Sequence, residues 1–345
     1  MIKKFLLGVT LFFQLGLSAE SKDYSVISLS AAIIDHFFLI SEEQLRSITL
    51  EKGNWVPIDY PTLCSILECN PNLAKMVPGG SGANVMKGLA QLGESCAIVG
   101  KVGSDDKGEF YIQSMTEIGV EVFLEKGSLP TGQSICLITP DGERTFRSYL
   151  GASHSLTDLA LNPQFFTPAV LFHIEGYQLV DQDLVRRALK MAKEAGVKVS
   201  MDLANVALVR SHQAFILETL EKYVDIVFCN ESEAKELLGL SPSEACTALS
   251  KLCEVAVVTM SEKGSWAQKG EEKCYTPAFD VVTVDTTGAG DFYASGFLHG
   301  YLNHASIEKC AWIGTLVASY VVKRIGAEIP PSVWEEIRMR IEEGE

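Results

Sequence analysis

A chain of 345 residues with 47% hydrophobic and 21% charged side chains has ordinary globular usage and the length to bury a full core, which argues against a disordered or membrane-embedded protein. Lys and Arg number 29 against 44 Asp and Glu, a formal net charge of -15, so nucleic acid is excluded as a partner because phosphate backbones attract clustered cations. A single anionic cofactor is not excluded, since backbone N–H groups at a helix start bind phosphate locally whatever the net charge.

The first segment is ambiguous. Lys3 and Lys4 precede an uncharged run from Phe5 to Ser18, with small residues at Ser18 and Ala19, in the pattern of a secretory signal. The alternative is a start-site extension covering residues 1–22. Nine cysteines, an odd number without C-x-x-C or metal spacing, read as buried thiols and suit a reducing compartment. The expectation is therefore a cytoplasmic protein with an extension at 1–22 and one domain over 23–345.

After that segment, Y-S-V-I-S-L-S-A-A-I-I-D reads as a short buried strand ending at Asp35. G-G-S-G-A-N-V-M-K-G-L-A-Q-L-G, from Gly79 to Gly93, opens with turn residues and continues as a helix with Val85, Leu89 and Leu92 on one face. Ala97 to Gly103 is a strand, and Phe110 to Ile118 is a helix stopped at Gly119. Between Thr131 and Tyr149 the texture changes to two strands around an Asp-Gly turn, a hairpin. Alternation then resumes: strand Ala169 to Glu175, helix Asp181 to Ala195, strand V-K-V-S-M-D, helix Gln213 to Tyr223, strand D-I-V-F-C-N, helix Glu231 to Leu238, strand V-A-V-V-T-M. Strand and helix in turn predict a mostly parallel sheet covered on both faces. The hairpin, with segments at about 36–60 and 121–150, forms a small β lid beside it. Its exposed edge offers a place for a second copy to pair as a homodimer.

In open α/β sheets ligands collect at the carboxyl ends of strands, where Asp35, Glu175, Asp202, Asn230 and Asp291 are expected. The strongest local signal is D-T-T-G-A-G-D. Gly288, Ala289 and Gly290 leave the backbone uncovered where a helix begins, so several N–H groups and the positive helix end face one point. Asp291 stands beside them as an acceptor for a hydroxyl proton. The same aspartate also reads as a plain N-cap. The Walker pattern, G-x-G-x-x-G, H-E-x-x-H and G-x-S-x-G are all absent, which leaves a dehydrogenase, a metalloprotease or a serine hydrolase unsupported.

The pair G-G-S-G-A-N and D-T-T-G-A-G-D resembles the two signatures of the PfkB, or ribokinase-like, carbohydrate and nucleoside kinases. P-T-G-Q-S-I-C-L-I-T-P-D-G-E-R-T-F-R-S-Y-L-G-A-S, F-H-I-E-G-Y and S-M-D-L-A-N look most like its adenosine-kinase-like branch. The resemblance implies a three-layer α/β/α sandwich with a β lid that excludes water. It also implies ATP-dependent phosphorylation of a primary hydroxyl on a ribose-like sugar or nucleoside. Asp291 would be the base, and Gly288, Ala289 and Gly290 the anion hole. Asn230 and Glu233, in N-E-S-E, match the motif that orients Mg²⁺ through water. Asp35, Gly80, Asn84 and Glu175 match positions that hold sugar hydroxyls. Thr259, Gly264 and Gly326 match the ATP side, and Asp285 and Thr287 fall where some members hold a monovalent cation such as K⁺.

Two departures accompany the match. Ser28, Ser30 and Ala31 stand where the nucleoside branch has G-x-G-N, which bears on recognition of adenosine itself, and Ser261 replaces a glycine on the nucleotide side. Arg144 and Arg147 read as solvated lid residues, and Trp266 and Trp312 as packing. A hexose or fructose-type kinase of the same family, and an exported sugar- or nucleoside-binding protein without turnover, are the competing readings.

Overall fold

Val26 and Ile27, neighbours in the first strand, point into different cores, and that alternation organises the molecule. The computed structural model describes residues 24–70, 73–156 and 161–344. The expected extension at 1–22 lies outside them. Among the described residues no helix is long and apolar enough to cross a membrane.

The strands of the large sheet are β1 (Val26–Leu29), β5 (Cys96–Gly103), β6 (Val120–Gly127), β9 (Leu171–Glu175), β10 (Lys198–Asp202), β11 (Ile226–Asn230), β12 (Val255–Thr259), β13 (Ser265–Lys269) and β14 (Glu272–Thr276). Their order is β14-β13-β12-β11-β10-β9-β1-β5-β6. All pairings are parallel except the last hairpin, β12-β13-β14. On one face lie α5 (Gln182–Glu194), α6 (Val206–Lys222), α7 (Glu231–Leu238) and α8 (Pro242–Leu249). On the other lie α3 (Ser81–Gln91), α4 (Asp106–Glu117), α9 (Ala289–Leu302) and α10 (Ile307–Val321), while α11 (Pro331–Glu343) closes a further core around Trp334. This is the three-layer α/β/α sandwich that the resemblance implies. The helix expected from Gln213 begins earlier, at Val206, and breaks its helical geometry at His212.

The small sheet has the order β3-β8-β7-β2-β4, from β2 (Ile33–Leu39), β3 (Trp55–Pro57), β4 (Leu73–Gly79), β7 (Gly132–Ile138) and β8 (Arg144–Tyr149). Its outer face is covered by α1 (Glu42–Ile48) and α2 (Tyr60–Cys69) through Leu45, Leu63 and Ile66. Three expectations change here. The run read as one strand up to Asp35 is two strands in two sheets, because the chain leaves the large sheet at Ser30 and re-pairs in the small one at Ile33. Residues 121–127, expected in the lid, pair with β5 in the large sheet, whereas β4 joins the lid. The hairpin offers no free edge to a second copy, since β7 is flanked by β2 and β8 by β3.

The topology fixes where chemistry can sit. From β1 the chain builds outward through β5 and β6, then crosses back to β9 on the other side of β1. The carboxyl ends of β1 and β9 therefore form the switch point at which an open sheet leaves a crevice for ligands.

Candidate active site

Glu175, at the end of β9, is fully buried and closes that crevice from below. Its Oε1 accepts from the Ala31 N–H at 2.6 Å and from Gln178 Nε2 at 3.1 Å. Its Oε2 accepts from Ser30 Oγ at 3.1 Å and from the Gly82 N–H at 2.5 Å. Both oxygens are thus committed to the turn after β1 and the start of α3. Glu175, expected to hold sugar hydroxyls, lines the cavity but gives both oxygens to protein donors, as a clamp that shapes the crevice. Ser30, in the position of a family glycine, supplies part of that clamp and also accepts from the Ala83 N–H at 3.1 Å.

Gly80 has φ +95° and lies so close to Ala31 that a Cβ would meet its carbonyl oxygen at 2.1 Å. A Cβ on Gly79 would meet the Asp35 carboxyl at 2.3 Å. The two glycines let β4 press against Asp35, which lies in β2 and not at the end of a large-sheet strand as expected. Asp35 is only 6% exposed, and no described residue donates a hydrogen bond to its carboxylate. A buried carboxylate without a protein donor wants a ligand's hydroxyls.

Above this point opens a cavity of about 390 Å³. Its lid wall carries Ile33, Trp55 and Phe146, and Tyr177 faces them, with the Trp55 and Tyr177 ring centroids 5.6 Å apart. The opposite end is the start of α9. Gly288 adopts a left-handed conformation, φ +76°, and no side chain caps the helix. The first intrahelical bond is Phe292 N–H to Gly288 O at 2.8 Å, so the amides of Gly290 and Asp291 precede it and face the cavity unbonded by the helix. A Cβ at Gly290 would meet nothing within 4 Å, which leaves room for an anion against those amides.

Asp291 is held from α3. Ser81 Oγ donates to Oδ1 and Asn84 Nδ2 donates to Oδ2, each at 2.7 Å. Asn84, expected among the sugar ligands, lines the cavity but spends its amide on the acid, while its Oδ1 has no partner. Asp291 is not an N-cap: its carboxyl caps no helix, and Gly288 holds the cap position. Burial raises its pKa, opposed by the bonds from Asn84 and Ser81 and by the charge of Lys87. Burial also raises Asp35 to about 7; Lys87 opposes the rise and Asp291 adds to it.

Asn230 caps α7 with its Oδ1 on the Ser232 and Glu233 amides at 2.9 Å, and Glu233 returns two bonds, from Asn230 N–H at 2.9 Å and Nδ2 at 2.7 Å. Burial lifts Glu233 to about 7, and burial with the charges of Glu233 and Asp291 lifts Asp202 well above the carboxylate range. A carboxyl at Asp202 raised by its neighbour Glu233 fits a nearby divalent cation, whose charge would offset that repulsion. Among the described residues no three His, Cys, Asp or Glu side chains converge to ligate one directly.

Thr259 and Thr287 line the cavity; Gly264 and Gly326, expected on the ATP side, do not. Gly264 is a turn glycine, φ +94°, pressed on the backbone of Thr276, Pro277 and Ala278. Gly326 donates its N–H to Asp285 Oδ2 at 2.8 Å. Asp285 Oδ1 accepts from the Thr287 N–H at 2.9 Å and Oγ1 at 2.8 Å. Asp285 is thus a strut between two loops, with two donors on Oδ1 and one on Oδ2. The sequence reading missed Trp55, Tyr177 and Lys87. It also misplaced the two lid arginines. Arg147 is buried and bonds the carbonyls of Asn54, Phe146 and Glu51, whereas Arg144 is the one cation among the described residues lining the cavity.

Residues 70–334 match the pfkB family carbohydrate kinases. The chain belongs to that family. It is similar to the adenosine kinase of Sinorhizobium meliloti, with 32% identity and TM-score 0.86 over 92% of this chain and 99% of that one. A probable sugar kinase of Rhizobium etli aligns at 30% identity and TM-score 0.85, covering 92% and 98%. Fructokinase-1 of Oryza sativa is 29% identical over 70% of this chain and 79% of its own. As a PfkB kinase the protein is a phosphotransferase that acts on an alcohol group of a sugar or nucleoside.

Proposed function

We propose that this PfkB kinase phosphorylates the primary hydroxyl of a ribose unit, most readily one carried by a nucleoside, at the expense of ATP. The observation that carries the reading is one continuous cavity: the unpartnered Asp35 carboxylate below, the Trp55 and Tyr177 rings on the lid side, and Asp291 beside the open α9 amides at the far end. A vicinal diol satisfies Asp35, and a flat base fits between aromatic walls. The hydroxyl left over points toward Asp291.

In this reading Asp291, oriented by Ser81 and Asn84, takes the proton from the attacking oxygen. Its raised pKa makes it a better base than an ordinary carboxylate. The amides of Gly290 and Asp291 bind the transferring phosphoryl group where charge builds. Asn230 and Glu233 would hold Mg²⁺ through its waters, and the ion would supply charge neutralisation for the ATP phosphates. Residues 23–345 act as one kinase domain, with the five-stranded lid excluding water so that ATP is not hydrolysed.

A fructose-type reading has specific support too. Ser30 turns its hydroxyl to Glu175 and Ala83, so the β1 end presents no amide to a base. Similarity to fructokinases points the same way. A kinase assay with ATP and Mg²⁺ against adenosine, ribose and fructose separates the two: the nucleoside reading expects the highest kcat/KM for adenosine. A preference for fructose would replace it.

A further inference from the structure

Lys87 is a buried charge that the chemistry above does not use. It stands on α3 one turn beyond Asn84 and is 5% exposed. Its ammonium donates to the Pro78 carbonyl at 2.7 Å and the Ala327 carbonyl at 3.1 Å. Pro78 precedes the glycines that press on Asp35. Ala327 follows Gly326, the donor to Asp285, and packs so closely on Gly288 that a Cβ there would lie 2.7 Å from its own. One side chain therefore ties the substrate wall to the backbone supporting the α9 cap.

Two carbonyls do not neutralise a buried ammonium, which needs an opposite charge. The charges facing Lys87 are Glu328 from the C-terminal segment, Asp35 from β2, Asp291 from α9 and, repelling it, Lys75 from β4. Glu328 is already paired with Lys75 at 3.0 Å. Burial lowers the Lys87 pKa, and Glu328, Asp35 and Asp291, in that order, oppose it as counter-charges. Behind Lys87 lies a second cavity of about 320 Å³, bounded by Phe292, Trp334 and Ile329, with Arg324 at its wall. Arg324 is turned to the Tyr320 carbonyl at 2.7 Å. Its burial leaves the field of Lys87 weakly screened.

We propose that Lys87 is a positioning residue for phosphoryl transfer, its ammonium fastening the substrate wall to α9 and its charge favouring the ionised form of Asp35 and Asp291. The proposal rests on the reading of Asp291 as base. The test is kcat/KM between pH 5 and 9 for the wild type, Lys87→Gln and Lys87→Arg, with Asp291→Asn alongside. Glutamine keeps N–H donors for both carbonyls and removes the charge, so the acid limb moves upward by about one pH unit. Arginine keeps the charge, so the limb stays at the wild-type position even where KM rises. Activity lost evenly at every pH in Lys87→Gln, with the limb unmoved, overturns the proposal. Should the glutamine variant fail to fold, a displaced limb in Lys87→Arg overturns it and an undisplaced one supports it. Unchanged turnover in Asp291→Asn defeats the base reading separately, whatever Lys87 does.

Discussion

Asn84 and Asp291 lie 207 positions apart, and the asparagine's amide sits 2.7 Å from the aspartate's Oδ2. With Ser81 it fixes the carboxyl from the neighbouring helix, at the point where α3 and α9 pack together. Removing either donor leaves Asp291 in the cavity but free to rotate.

Asn84→Ala and Ser81→Ala should therefore lower kcat by roughly 10- to 100-fold each, as expected for misplacing a reacting group by about an ångström. KM for the sugar or nucleoside should change less. Steady-state kinetics of the two variants check this. A risen KM with kcat intact would instead make Asn84 a direct substrate ligand, the role its motif suggests.

Gly290→Ala separates folding from function. Its backbone is ordinary helix and its Cβ site is open, so alanine is accepted there and should leave the melting temperature unchanged or slightly higher. The same methyl group occupies the space in front of the α9 amides, so turnover should drop by roughly 10²-fold, the scale of losing one anion-hole donor. Thermal melting and turnover on one preparation give both numbers.

The pH dependence of stability follows from Asp35. Its carboxyl titrates near 3.8 when unperturbed and at about 7 in the folded, ligand-free protein. Between those values the folded state holds more protons than the unfolded one, so this residue's contribution to stability falls as pH rises. Each unit of displacement is worth about 1.4 kcal/mol. Asp35→Asn abolishes the titration, and its melting temperature should exceed that of the wild type by a margin that grows from pH 5 to 7 and then levels off. A margin independent of pH would show that Asp35 is not held up by its site. The comparison between variants cancels the opposite trend from His36 and His173, whose burial pushes them down.

What was legible in the sequence was local. D-T-T-G-A-G-D declares an uncapped helix start because glycine conformation and exposed amides depend on adjacent residues, and the strand–helix alternation declares the parallel sheet. The run from Val26 to Ile34 is apolar but for Ser28 and Ser30, and its periodicity carries no mark of the passage from one sheet to another at Ser30. Glu175 looks like any acid at a strand end; only its four donors, drawn from β1, α3 and the turn after β9, show that it is a clamp. Lys87 passes unnoticed and Arg147 reads as solvated because their partners are backbone carbonyls supplied by other segments.

The central claim, that Asp291 accepts the hydroxyl proton beside the α9 amides, is tested most directly by turnover of Asp291→Asn set against calorimetric binding of sugar or nucleoside and of ATP. Asparagine keeps the size and can still bond Ser81 and Asn84 but is no base, so kcat should fall by roughly 10²- to 10⁴-fold with both affinities within a few fold of wild type. Turnover equal to that of the wild type, with binding intact, would contradict the account.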